Sequence, residues 1–354
     1  ARKWSLDAWR GGLGGFAAMD ESSNVWLWEA IARRDTRDAV MPVPAAAPLI
    51  DPTMADAMIE HFERIHREMR LTFAPAPPGL AAPVFATELL SDLCKTCWPP
   101  GKLLAYRPDD PQRDLLLREC CYRPPAVIEQ ARGRLIADTD RSVRRLVALF
   151  EQADAEVLDA PAIARWLHER DRWHVSPLPP EIEIELTTDD QLGGTTLRPR
   201  GHVLERRGCI PLAMLDRLFD ELGRHDDSLV VFGGFGEPLL HPEFNEIVRR
   251  ARRAGIFGIA VRTNALALDA ARIDALLDAR TDVVSVLLDS HSPETYRRVH
   301  GFDGYEQAVA NVNALLQARA GRGHAQPFVV PEMVKTRQTI GEMEAFFDDW
   351  IRTV

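Results

Sequence analysis

From Pro180 onward, short apolar runs alternate with amphipathic stripes, and this rhythm constrains the fold more than any other feature of the chain. Ile182, Ile184 and Leu186 alternate with Glu181, Glu183 and Glu185, the period-two pattern of a strand. Leu229 to Phe232, Gly258 to Val261, Val283 to Leu288 and Phe328 to Val330 read as further strands. Helical spacing falls between them, at Leu212, Leu215, Phe219 and Leu222, at Phe244, Ile247, Val248 and Ala251, at Leu268, Ile273, Leu276 and Leu277, and at Tyr305, Ala308, Val312 and Leu315. Met343, Phe346, Phe347, Trp350 and Ile351 form a final stripe. Alternation of this kind predicts an α/β domain with a parallel sheet and right-handed crossovers. In such folds ligands are met by the loops at the C-terminal ends of the strands.

Those loops carry distinctive strings. After the second strand comes Gly233-Gly234-Phe235-Gly236-Glu237-Pro238-Leu239-Leu240-His241-Pro242. The third strand is followed by Arg262-Thr263-Asn264, and the fourth by Leu288-Asp289, then Glu294-Thr295-Tyr296 and His300-Gly301. Taken residue by residue, the glycines keep a tight turn and Glu237 is a carboxylate met by nearby amides. On the same reading Asn264 caps its own loop, Asp289 is a cap or loop residue, and His241 and His300 pack or cap.

In order and spacing these strings resemble the radical SAM superfamily from about Glu181 to Val354. The resemblance implies a partial (β/α) barrel of six strands, with S-adenosylmethionine held by the strand-end loops. Gly234, Gly236, Glu237, Asn264 and Asp289 are then the cofactor-binding candidates. It also implies a [4Fe–4S] cluster on Cys-x3-Cys-x2-Cys in the loop after the first strand, where three thiolates leave one iron open. The corresponding positions here are Asp190, Gly194 and Leu197, so the cluster is not expected in the residues present. The family's serine two residues before Asp289 is Leu287.

The N-terminal half reads differently. Gly11, Gly12, Gly14 and Gly15 lack the spacing of a phosphate-binding loop. Asp51 followed by Pro52 marks a helix start, continued by Met54, Met58, Phe62, Ile65 and Met69. Asp138 precedes a helix carrying Val143, Leu146, Val147 and Phe150. The order of these segments, over about Lys3 to Gln152, resembles GT-A nucleotidyltransferases of the cytidylyltransferase type, in which two acids hold Mg²⁺. The first acid position falls on Ala46, and Asp138 alone remains as a metal-ligand candidate. The expected organisation is therefore a nucleotidyltransferase-like domain over 1–170 without its first strand and loop, a linker over 171–180, and a radical SAM-like partial barrel over 181–354. The combined order resembles the spiro-SPASM fusions, and on that comparison a sixth strand and a SPASM tail are missing.

Composition narrows the function classes. A length of 354 residues suits about two domains, and a net charge of −10 argues against a nucleic-acid partner. No apolar run reaches membrane-spanning length, and five cysteines do not make a secreted disulfide scaffold, so a cytoplasmic location is expected. Cys94, Cys97, Cys120 and Cys121 read as buried or free thiols, and Arg249, Arg250, Arg252 and Arg253 as a solvated helix face. The leading expectation is a degenerate radical SAM-fold protein that binds a small-molecule ligand or a protein partner in a modification or cell-envelope pathway. Two alternatives stay open: an active SPASM-type enzyme using clusters in a C-terminal tail, or a nucleotidyltransferase. Enzyme status and oligomeric state stay open with them.

Overall fold

The computed structural model describes residues 24–96, 100–104, 115–152, 158–169, 179, 181–192, 207–225, 227–324 and 326–354. The chain divides into two compact units, Ala1–Pro177 and Leu178–Val354. The glycine-rich segment at Gly11–Gly15, Cys97, Gly194, Leu197 and residues 171–178 of the expected linker lie outside the described residues.

In the first unit, helix α1 (Val25–Arg34) leads to β1 (Ala39–Val40). Helix α2 (Pro52–Ile65), β2 (Leu71–Thr72), β3 (Val84–Ala86) and α3 (Thr87–Thr96) follow. Helices α4 (Ala126–Gln130), α5 (Asp140–Gln152) and α6 (Ala160–Glu169) complete the unit. Strand β3 lies between β1 and β2 and runs antiparallel to both. The α2 stripe buries Met54, Met58 and Phe62, and the helix ends at Ile65, leaving Met69 beyond it. One cluster gathers around Leu80, Leu135, Leu149 and Ile163, and another around Phe73, Phe85 and Leu90. Cys120 and Cys121 are buried in the second cluster, and burial pushes the Cys120 thiol up.

The second unit runs β4 (Glu181–Glu185), α7 (Leu212–Leu222), β5 (Leu229–Gly233), α8 (Phe244–Arg253) and β6 (Gly258–Thr263). It continues with α9 (Ala270–Asp278), β7 (Val283–Leu287), α10 (Pro293–His300), α11 (Tyr305–Gly321), β8 (Phe328–Glu332) and α12 (Met343–Thr353). The five strands pair in chain order and all ladders are parallel. This is the sheet that the alternating pattern predicts.

Strand alternation decides what each face meets. Ile184, Phe232, Ile259, Val261, Val284 and Val286 join Leu215, Phe219, Ile247 and Leu276 of the helices in one buried cluster. Each such side chain contributes roughly 1.5–3 kcal/mol by leaving water. The intervening positions Glu183, Glu185, Arg262 and Ser285 fall on the other face. Helix α10 is absent from the sequence expectation. Ser292 caps it by accepting from Thr295 N at 3.3 Å, Pro293 opens it, and Gly301 at φ 64° ends it. Arg252 also departs from the solvated face expected of it. Its guanidinium donates to the carbonyls of Ile256, Phe257, Ala279 and Arg280 and to Asp282, whose side chain is buried.

Candidate ligand site at the strand ends

The parallel register puts the ends of β5 and β6 level, with Phe232 opposite Val261. The Gly-Glu-Pro loop after β5 therefore lies against the Thr-Asn loop after β6, and Glu237 joins them. Its side chain is fully buried. One oxygen accepts from Thr263 Oγ1 at 2.6 Å and Leu239 N at 3.1 Å, the other from Asn264 N at 2.8 Å. Burial raises the Glu237 carboxyl to about 7, against the three hydrogen bonds, which favour the charged form; the nearby Asp190 charge adds to the rise.

Asn264 is also buried and turned inward. Its Oδ1 accepts from Leu266 N at 3.0 Å, and its Nδ2 donates to Asp190 Oδ1 and Gln191 Oε1, both at 3.3 Å. Asp190, which the resemblance sets at the first cysteine position, also accepts from Leu192 N at 2.9 Å. The described part of the loop after β4 is thus fastened to the Thr-Asn loop, and Glu237 N donates to Asp189 O at 2.9 Å.

Two carboxylates from β4 meet the glycine-rich loop. Glu183 Oε1 accepts from Gly234 N at 2.8 Å, and Glu185 Oε1 accepts from Phe235 N at 2.8 Å and Gly236 N at 3.0 Å. Gly234 has φ 98°, and a Cβ there would sit 2.9 Å from Glu185 Cβ, so glycine is needed for both reasons. Arg262 on β6 donates to Glu183 at 2.9 Å. The sequence showed Glu183 and Glu185 only as the polar half of a strand; nothing in the alternation names the loop amides they meet.

Asp289 sits elsewhere, between β7, β8 and α10. It adopts φ 55°, and its carboxylate accepts from Val334 N at 2.8 Å and lies 3.5 Å from His300 Nε2. Ser292, not Asp289, caps α10. His241 accepts from Glu243 N through Nδ1, which leaves its Nε2 proton for Ile210 O at 3.0 Å. These two bonds tie the loop to the start of α7.

In the first unit, Ala137 N donates to Ala46 O at 2.7 Å, which brings the residue before Asp138 against Ala46. Ala46 brings no ligand atom in its side chain, and Asp138 is paired with Arg134, whose Nε donates at 2.9 Å. Among the described residues no group of three or more His, Cys, Asp or Glu side chains is placed to hold a metal ion. No helix among them is long and apolar enough to cross a membrane.

A helix-backed, five-stranded parallel sheet whose strand-end loops carry Gly-Glu-Pro and Thr-Asn defines an α/β class of protein. Residues 205–343, within the second unit, match the model of the radical SAM superfamily. A GTP 3′,8-cyclase of Chlorobaculum tepidum is 38% identical over 82 residues, which is 23% of this chain and 24% of that one. GTP 3′,8-cyclase 1 of Mycobacterium tuberculosis is 31% identical over 88 residues, again 23% of this chain and 24% of that one. The chain thus spans about a quarter of the length of the curated relatives it matches. Among solved structures, Streptococcus suis SuiB bound to precursor peptide SuiA aligns with a TM-score of 0.43 and 15% identity over 60% of this chain and 47% of that one. Native anSMEcpe with bound AdoMet and Kp18Cys peptide aligns with a TM-score of 0.38 and 14% identity over 48% of each chain.

Proposed function

We propose that this protein uses a radical SAM fold without cluster chemistry, as a ligand-binding or scaffolding component. The donor set at the first loop does not fit a [4Fe–4S] cluster. Asp190, Gly194 and Leu197 stand at the three thiolate positions, and Cys209 is the second unit's only cysteine. A carboxylate, a hydrogen and an alkyl group do not replace three thiolates on iron.

The observation that carries the proposal is the state of Asp190 and Asn264. In place of a first thiolate facing an iron, the Asp190 carboxylate receives Asn264 and Leu192, and the loop is fastened to its neighbour. The polar atoms implied for the amino-acid end of S-adenosylmethionine are similarly engaged within the chain, at Glu237 and at Asn264. Ligand binding there has to compete with bonds already made, so S-adenosylmethionine affinity is weak. The same reading extends to the first unit as a nucleotidyltransferase-like domain without catalysis, because Ala46 lacks a ligand atom and Asp138 faces Arg134.

Anaerobic reconstitution with iron and sulfide, followed by iron analysis and calorimetric titration with S-adenosylmethionine, tests the proposal on the full chain. The expected result is no iron–sulfur absorbance and no saturable heat at ligand concentrations comparable to the protein's. Stoichiometric iron held by the second unit overturns it, as does turnover of CTP with Mg²⁺.

A further inference from the structure

We infer that the loop after β5 is a carboxylate-binding nest, which the resting protein fills with its own Glu183 and Glu185 and which a carboxylate-bearing ligand enters by displacing Glu185. The inference deepens the proposed reading, since it names the ligand chemistry for a site that does not run a cluster reaction.

Three consecutive amides carry it. Gly234, Phe235 and Gly236 point their N–H groups to one side of the loop, and all three are met by side-chain oxygens from β4. The Phe235 and Gly236 amides converge on a single oxygen, Glu185 Oε1, at 2.8 and 3.0 Å. Successive amides converging in this way form an anion-binding concavity, and positive φ at Gly234 is the conformation that turns them together. Glu183 is shared between Gly234 N and the Arg262 guanidinium at 2.9 Å, so a fixed cation borders the nest.

The present occupants show which chemistry the nest accepts, an ionised carboxylate receiving charge-assisted bonds from backbone N–H groups. They are also displaceable. Glu183 keeps 44% of its side chain exposed and Arg262 keeps 38%, and both sit on the sheet face opposite the helices. Glu185 hangs from the last residue of β4, where rotation about its side-chain bonds withdraws the carboxylate without moving the strand. A ligand carboxylate would take the Phe235 and Gly236 amides, leave Glu183 on Arg262, and return Glu185 to water.

Amide NMR of the full chain, with acetate as the probe, tests this. In Glu185→Ala the nest is vacated. Sodium acetate is expected to shift the Phe235 and Gly236 amide resonances saturably and to raise the melting temperature, while sodium chloride at equal ionic strength does neither. The wild-type protein, whose nest is filled, shows a much weaker response at the same acetate concentration. Glu185→Gln keeps a neutral acceptor in place and so preserves the fold if the alanine variant does not. There acetate displaces the amide oxygen and the same two resonances shift. Inorganic phosphate is the second arm, and a response to phosphate but not acetate overturns the assignment to carboxylate. Equal acetate responses in variant and wild type, or no saturable shift in either variant, overturn the nest itself. A finding of bound iron would overturn the proposed function and leave these titrations unaffected.

Discussion

The buried carboxylate of Glu237 receives the backbone N–H of Asn264 at 2.8 Å, across a gap of 27 residues in the chain. This bond, with that from Thr263 Oγ1, holds two strand-end loops of the second unit in fixed relation. It also makes stability depend on pH in an unusual direction. Burial raises the folded-state value to about 7 from the ordinary 4.5. Between those values the native chain holds a proton that the unfolded chain has lost, so stability falls as pH rises through the interval. The full effect is on the order of 3 kcal/mol from about 2.5 units. Chemical denaturation at pH 5 and pH 8 should show this fall in the wild-type protein and a clearly smaller one in Glu237→Gln. An identical fall in both proteins would show that Glu237 is not its source.

Glu342 is expected to act with the opposite sign. Burial raises its carboxyl, but hydrogen bonds from Ser292 Oγ, Thr295 Oγ1 and the amides of His291 and Ser292 outweigh this and hold it below the usual carboxylate range. Its contribution is present above the unfolded value and disappears as pH falls through the folded one. Glu342→Gln should therefore cost stability at pH 7 and progressively less in acid, read from melting curves at each pH. A constant difference across the range would rule out the charge as the source.

Two glycine substitutions should move stability in opposite directions. Gly234→Ala forces a side chain onto φ 98° and places its Cβ 2.9 Å from that of Glu185, costing about 2–4 kcal/mol from strain and overpacking together. Gly321 closes α11, and a Cβ there meets nothing within 4 Å. Gly321→Ala should raise stability by about 0.5–1 kcal/mol, because alanine loses less backbone freedom on folding. Urea titration of the two variants separates these outcomes.

The sheet was legible because five strands with apolar residues at alternating or continuous positions must be covered by helices, and the helical stripes between them have matching periods. Helix α10 was not, since eight residues with Tyr296, Val299 and His300 buried give too short a stripe to stand out. The site was half legible. Gly234, Gly236, Glu237 and Asn264 stand out because they lie in strings of fixed order, and the structure brings them to adjacent loops. Their partners were not. Glu185 meets Gly236 across 51 positions, and Asp289 meets Val334 across 45, distances over which no local periodicity operates. The Arg249–Arg253 run shows the same limit, since charge alone suggested solvent while Arg252 reaches over the edge of α8 to Asp282.

That reach makes Arg252 a sensitive position. A planar fork supplies bonds to four carbonyls and to the buried Asp282 carboxylate, which also accepts from Ile259 N at 2.8 Å. Lysine has the charge but not the fork. Arg252→Lys should therefore cost about 2–4 kcal/mol, the range for weakening a buried ion pair and leaving acceptors unmet. Arg253→Lys, on a side chain 64% exposed, should change stability by less than about 1 kcal/mol. Similar losses in both would place the effect in the helix rather than in the Arg252 contacts.

In the first unit the carboxylate of Asp51 serves two helices. Its Oδ1 accepts from Met54 N at 2.7 Å, capping α2, and its Oδ2 accepts from Ala160 N at 2.8 Å, at the first residue of α6. The side chain is buried, so water does not replace either bond if the carboxylate is removed. Each helix start also presents its positive end to the shared negative charge. Asp51→Ala loses both caps and leaves two donors unmet, which should lower stability by about 2–4 kcal/mol. Asp51→Asn retains one acceptor oxygen and turns a donor toward the second amide, so it should keep only one of the two caps and fall between alanine and wild type. Hydrogen exchange at Met54 and Ala160 resolves the two caps: both amides lose protection in alanine, and one keeps it in asparagine. Equal loss of protection at both amides in the asparagine variant, which keeps one acceptor oxygen but no charge, would mean that the charge, rather than the two separate oxygens, holds the helix starts together.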